Sequence, residues 1–168
     1  MKKTFLSILT LVVLVFSSCI KNNPPITDEF IVEIDAASWN ANSLGVNYPI
    51  MTLVPNPGVA GGGPSLTRST GTFNLRVNLI GAQRATATNF SYRVVASETT
   101  AIAGTHYTSL SGTGTIPANS SFGTISVPVL NPGVSSTTPV VLVIELVSNP
   151  DAKASLNYGK IGFRISQL

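Results

Sequence analysis

The sequence predicts an all-β fold, an antiparallel β-sandwich that follows a cleaved N-terminal signal segment. Three observations carry this expectation. Beyond residue 28, apolar residues recur at every second position in short runs, as they do on strands with one dry face. Between the runs lie Gly, Asn-Pro and Asn-Ser clusters, which are turn chemistry. No window after Cys19 sustains the three- and four-residue spacing of an amphipathic helix.

The chain opens with Lys2 and Lys3, continues through an apolar core at residues 4–16 and closes on Ser17-Ser18-Cys19. Basic, apolar and small residues in that order form a secretory signal. An uncleaved membrane anchor needs about 20 apolar residues, whereas this core is shorter and is interrupted by Ser7 and Thr10. The small-small-Cys ending resembles a lipobox, the cleavage and lipidation site of bacterial lipoproteins, with Phe16 standing where Leu is more usual. The expected organisation is a lipoprotein signal peptide at 1–18, a lipidated tether at 19–28 beginning with Cys19, and one β-sandwich domain at 29–168. Pro24-Pro25 makes the tether an extended, semi-rigid spacer. The expected location is the cell envelope of a bacterium, on the periplasmic or cell-surface face of its outer membrane.

Removing the signal leaves about 150 residues, the usual size of one domain and enough for a core without disulfides. Cys19 is the only cysteine, so its lipidation leaves none to pair. Lys2 and Lys3 are two of the ten Lys and Arg residues, so eight remain against seven acids and the basic balance nearly vanishes. Arg68, Arg76, Arg84 and Arg93 are scattered singly. Phosphate binding needs them clustered, which excludes a nucleic-acid partner.

In chain order, Phe30, Val32 and Ile34 alternate with Ile31, Glu33 and Asp35 as a first strand. Residues 36–47 read as irregular. Residues 48–54 are a weaker strand candidate, because Pro49 lacks a ladder donor. A Gly/Pro-rich loop follows at 55–71. Its Gly61-Gly62-Gly63 run continues as Pro64-Ser65-Leu66, not the Gly-Lys-Ser/Thr of a phosphate loop. Phe73, Leu75, Val77 and Leu79 then share one face, as do Phe90, Tyr92, Val94 and Ala96. Ile125, Val127 and Val129 form a third set, and Ile161, Phe163 and Ile165 a fourth. Residues 140–147 are apolar on both faces apart from Glu145, the pattern of a central strand.

Residues 73–166 resemble the Calx-beta family and related immunoglobulin-like modules of bacterial surface lipoproteins. The likeness lies in ordered features: Ser97-Glu98-Thr99-Thr100-Ala101-Ile102-Ala103-Gly104-Thr105-His106-Tyr107, then Thr113-Gly114-Thr115-Ile116-Pro117-Ala118, then Ile125-Ser126-Val127-Pro128-Val129, and a strand ending Val147-Ser148-Asn149-Pro150. The resemblance implies a calcium site of loop carboxylates at one end of the sandwich. This chain departs from that pattern: His106 replaces the Asp of Gly-Thr-Asp-Tyr, and Asn131-Pro132-Gly133-Val134-Ser135-Ser136 replaces an acidic loop. Glu98 alone matches a ligand position, with Asp151 a second carboxylate able to reach the same end. Calcium takes six to eight oxygens, so neither a metal nor any other cofactor is expected.

Catalytic equipment is sparse. His106 is the only histidine, no Gly-x-Ser-x-Gly elbow occurs, and His106 reads as a turn residue before Tyr107. Glu33, Asp35 and Glu145 lie in strand patterns, not as a pair of carboxylates flanking a cleft. Trp39, in the polar stretch Ser38-Trp39-Asn40-Ala41-Asn42, is the candidate carbohydrate contact, its alternative being a cover over one end of the core. Tyr107 and Tyr158 read as structural.

The expected function is therefore a non-catalytic, lipid-anchored module. Its partners are the membrane, through the anchor, and a polysaccharide or another surface protein; the glycan idea comes from the resemblance. The alternative is a structural spacer or assembly subunit of the envelope, and a hydrolase comes last. If Cys19 carries the anchor, a Cys19→Ala protein partitions into the soluble fraction; continued membrane partitioning of that variant refutes the assignment.

Overall fold

In the computed structural model, which describes residues 29–168, the alternating runs become the strands of two facing sheets. The signal segment, Cys19 and the tether at 19–28 lie outside the described residues. The strands are β1 (Ile31–Ile34), β2 (Ile50–Met51), β3 (Thr72–Ile80), β4 (Thr88–Val94), β5 (Thr113–Ile116), β6 (Phe122–Pro128), β7 (Val140–Val147), β8 (Lys153–Ala154) and β9 (Lys160–Ile165). One sheet has the order β6-β3-β1-β8 and the other β2-β9-β7-β4-β5.

Alternation translates directly into burial. Along β3, Phe73, Leu75, Val77 and Leu79 point inward, while Thr72, Asn74 and Ile80 are exposed. They face Phe90 and Tyr92 of β4, Leu142, Ile144 and Leu146 of β7, and Ile161, Phe163 and Ile165 of β9. The rings of Phe73 and Phe163 meet across the sandwich with centroids 4.9 Å apart and planes tilted by 59°. Each such fully buried side chain contributes about 1.5–3 kcal/mol. As its apolar pattern predicts, β7 is the middle strand of its sheet, flanked by β9 and β4. Past the end of β4, the hydroxyls of Thr99 and Thr100 accept Val143 and Val141 N–H at 3.0 and 2.8 Å, and Thr100 N–H donates to the Val141 carbonyl at 2.8 Å.

Three local details depart from the sequence pattern. The stretch expected to be irregular opens with a single helical turn, α1 (Asp35–Trp39), so Asp35 begins a helix instead of ending a strand. Ser38 Oγ donates to the Asp35 carbonyl and Asn40 Nδ2 to the Ala36 carbonyl, satisfying groups that one turn leaves open. The candidate strand at 48–54 shrinks to β2, whose pairing with β9 is parallel, as is that of β8 with β1. Both parallel pairings are two residues long and lie at sheet edges; all other strand pairs are antiparallel.

The 55–71 loop is tied to the sandwich at several points. Leu66 is buried in the core, and its carbonyl accepts Ser166 N–H at 2.9 Å. Asp35, only 4% exposed, accepts Gly58 N–H on Oδ2 at 2.7 Å and Asn78 Nδ2 on Oδ1 at 2.9 Å. Arg76 Nε stands 4.0 Å from the same Oδ1. A buried carboxylate is tolerated only when so partnered. The loop, the helix and β3 therefore meet at one side chain.

At the edge where β5 hands the chain from one sheet to the other, the spacing is set by Phe90. A Cβ on Gly114 would lie 2.2 Å from the Phe90 ring. One on Gly123 would lie 2.6 Å from the Thr115 carbonyl oxygen and 3.0 Å from the same ring. Ala at either position therefore forces the sheets apart or the ring off its rotamer. Overpacking of this kind costs about 1–3 kcal/mol. Gly114→Ala and Gly123→Ala are each expected to lower the urea midpoint accordingly, with Gly123→Ala the worse because its obstacle is backbone. An unchanged midpoint for both removes the constraint.

Candidate functional site

On the outer face of the five-stranded sheet, register places three charged residues in a row. Arg93 of β4 lies opposite Glu145 of β7, and Glu145 opposite Lys160 of β9. Arg93 donates from Nε and Nη2 to Glu145 Oε2 at 2.8 and 2.6 Å. Lys160 Nζ turns instead to Glu98 Oε1 at 2.6 Å, and the Tyr48 hydroxyl donates to Glu98 Oε2 at 2.5 Å. Glu98 belongs to the 3₁₀ turn Ala96–Glu98 that follows β4. The Lys160 ammonium also lies 4.6 Å from the centroid of the Tyr48 ring, within cation–π reach.

The local sequence of β9 makes room for this arrangement. Its outward positions are Lys160, Gly162 and Arg164, and the bare Gly162 lets the 48–50 segment lie against the sheet. A Cβ there would come within 3.0 Å of Ile50 Cγ1 and 3.3 Å of Tyr48 Cε2. Pro49, unable to donate, accepts Gly162 N–H on its carbonyl at 2.9 Å. Burial first, then the bond to Glu98, pushes the Tyr48 hydroxyl up to about 12. The bond from Lys160, followed by that from Tyr48, holds the Glu98 carboxyl below its usual value.

Beside this row lies an open groove of about 390 Å³, lined among others by Asn47, Arg93, Glu145, Val147, Leu156 and Asn157. A second opening, along residues 45–48, shares Asn47 and Lys160 with it. Leu156 stands 99% exposed at the rim. Both bonds from Arg93 land on Glu145 Oε2, so among the described residues Oε1 keeps its acceptor capacity. The floor is strand, which fixes these groups more firmly than loops do.

The residues singled out in the sequence are not brought together here. Trp39, the last residue of α1, is 51% exposed, so it only partly covers the core, and it is not among the residues lining the groove. Glu98 is engaged by Lys160 and Tyr48, whereas Asp151 accepts Asn89 Nδ2 at 3.0 Å at the other end of β4. Those two carboxylates cannot share a calcium ion. His106 Nδ1 accepts Ile102 N–H at 2.9 Å and closes the turn before Tyr107. Tyr107 is buried, while Tyr158 is exposed and accepts Ile34 N–H on its carbonyl. Among the described residues no three His, Cys, Asp or Glu side chains converge as metal ligands, and no helix is long and apolar enough to cross a membrane. Sequence reasoning missed the Arg93–Glu145–Lys160 row. Its one signal was Glu145, the lone charge in an apolar strand. Tyr48, Glu98 and Lys160 are too far apart in the chain to announce their meeting.

The chain belongs to the family described as a domain of unknown function, DUF4843, whose model matches residues 65–165. No curated protein matches it in sequence. Among solved structures, the fold is similar to the apo form of the Calx CBD1 domain, with 14% identity and a TM-score of 0.56 over 83% of this chain and 97% of that one. It is also similar to CBD12 from CALX1.2, at 14% identity and a TM-score of 0.52, covering 80% of this chain and 45% of that one. A protein of unknown function from Bacteroides ovatus gives 8% identity and a TM-score of 0.55, over 83% of this chain and 52% of that one. These likenesses bear out the all-β, Calx-beta-like sandwich.

The shifts at Glu98 and Tyr48 set a pH dependence. Glu98 has its folded value lowered, so its contribution is present above the unfolded Glu range, near pH 4.3, and is lost as pH falls through the folded value. Tyr48 has its value raised, so its contribution holds below about pH 10 and is lost as pH climbs towards 12. Melting curves of Glu98→Gln are expected to lack that part of the acid decline which the unaltered protein shows. Parallel acid limbs for the two proteins remove Glu98 as the cause.

Proposed function

We propose that this member of the DUF4843 family is a non-catalytic binding module of the bacterial cell envelope, held to the outer membrane by lipid on Cys19, which binds glycan or a partner surface protein. The observation that carries this reading is the open, polar groove on the outer face of the five-stranded sheet. Its charged groups, Arg93, Glu145 and Lys160, are fixed by strand register, and its turns add Asn47, Leu156 and Asn157. Chemistry there lacks support: the lining hydroxyls of Ser148 and Ser155 accept Ala154 and Tyr158 N–H, no base is hydrogen-bonded to either among the described residues, and His106 is spent on its turn. Lipid anchoring rests on the order of residues 1–19 and on the absence of any other cysteine.

A structural or assembly role is the second reading, favoured by β6. This seven-residue strand ends its sheet and is paired within it only to β3. Thr108 N–H already donates to the Pro128 carbonyl and Ser120 Oγ ties Phe122, so the stretch left to accept a further strand is 124–126. Its alternating Thr124 and Ser126 face solvent, and Pro128 ends the donor row.

Two measurements separate the readings. A glycan binder that uses this groove is retained in polysaccharide affinity gels, and Trp39→Ala, at a residue outside the lining, leaves that retention unchanged; weakened retention brings Trp39 into the site. An assembly subunit migrates as an oligomer in sedimentation at low concentration, and a monomer there counts against the second reading.

A further inference from the structure

Building on the glycan reading, we infer that the groove beside the Arg93–Glu145–Lys160 row is a subsite for an uncharged sugar ring. Size comes first. A volume of about 390 Å³ falls at the small end of the roughly 300–1,000 Å³ typical of small-molecule sites. A protein partner needs roughly 800 Å² of surface on each side, far more than this groove offers.

The lining fits the two chemistries of a pyranose. Its hydroxyls need donors and acceptors side by side. Arg93 and Glu145 supply one such pair, with Glu145 Oε1 still able to accept and the guanidinium, bound through Nε and Nη2, still able to donate from Nη1. Asn47 and Asn157, both exposed, add amides that donate and accept. The C–H face of a sugar ring needs an apolar wall, and Leu156 and Val147 stand on the lining for it. Leu156 on a turn, almost wholly in water, has no packing role of its own.

The charges decide what kind of sugar. Every charged side chain here already has its counter-ion, Arg93 with Glu145 and Lys160 with Glu98. An anionic uronic acid meets two carboxylates for every two cations, and at Arg93 Nη1 its charge is opposed by the neighbouring Glu145. A neutral ring leaves both pairs in place and uses their remaining lone pairs and protons.

Affinity electrophoresis of the mature chain tests this in gels of neutral mannan, galactan, xylan or dextran and of acidic polygalacturonate or alginate. At least one neutral gel should retard the protein while the acidic gels do not. Glu145→Gln should weaken neutral retention by on the order of tenfold, the loss of one charge-assisted bond. It should also make the protein bind polygalacturonate, because Arg93 is then uncompensated. Leu156→Ser, at a fully exposed position that cannot unsettle the core, should weaken neutral retention alone. Neutral retention untouched by both variants overturns the subsite while leaving the glycan reading standing, and equal retention on acidic gels overturns its neutrality. A protein that no gel retards overturns the glycan reading and the subsite with it, and directs attention to a protein partner.

Discussion

Two sheets that share a core must keep a set distance over it, and here that distance turns on one aromatic ring. Phe90 fills the corner where β5 leaves one sheet and β6 enters the other, and it fills it so completely that both facing positions are glycine. With no Cβ at Gly114 or Gly123, the backbones come down onto the ring itself. The separation between the sheets is thereby fixed, and the pairs that meet deeper inside, such as Phe73 with Phe163, are held at packing distance.

Polar chemistry holds the segments that lie outside the strands. A buried carboxylate, Asp35, gathers the loop through Gly58 and β3 through Asn78 and Arg76. On the outer face of the other sheet, Tyr48 rests on Gly162 and reaches Glu98, which in turn takes Lys160. Bare backbone therefore serves two purposes: on one edge it admits a core ring, and on β9 it admits the segment that frames the groove.

What could be read from the chain and what could not divide along physical lines. Residues 73–79 and 161–165 declare themselves because a strand with one wet face repeats every two residues, and burial follows that period without interference from neighbours. Glu145 was legible as an oddity in β7, but its partner lies 52 residues away and only register reveals it. The helical turn at Asp35–Trp39 spans fewer residues than two helical periods, so no periodicity can announce it. The parallel pairings of β2 and β8 are similarly brief. The resemblance carried over to the architecture, whereas Glu98 and Asp151 lie towards opposite ends of β4, because loop residues are free to change while the core alternation is not. Trp39 was legible as a candidate contact, yet its half-exposed position depends on where one helical turn happens to stop.

The entry strand has one more consequence. β1 is an inner strand, lying between β3 and β8, and it is bonded along its length from Ile31–Ile80 to Ile34–Val77 on one side and to Lys153 and Ala154 on the other. The N–H groups of Lys153 and Ser155 donate to Phe30 and Val32 carbonyls, and Ile34 donates to Tyr158. A pull delivered through the chain ahead of Glu29, against a load held elsewhere on the domain, draws β1 lengthwise between its neighbours. Its bonds are then strained together in shear instead of being peeled one at a time. A load that enters the domain along its own polypeptide is thus resisted by the bonds on both sides of β1 at once.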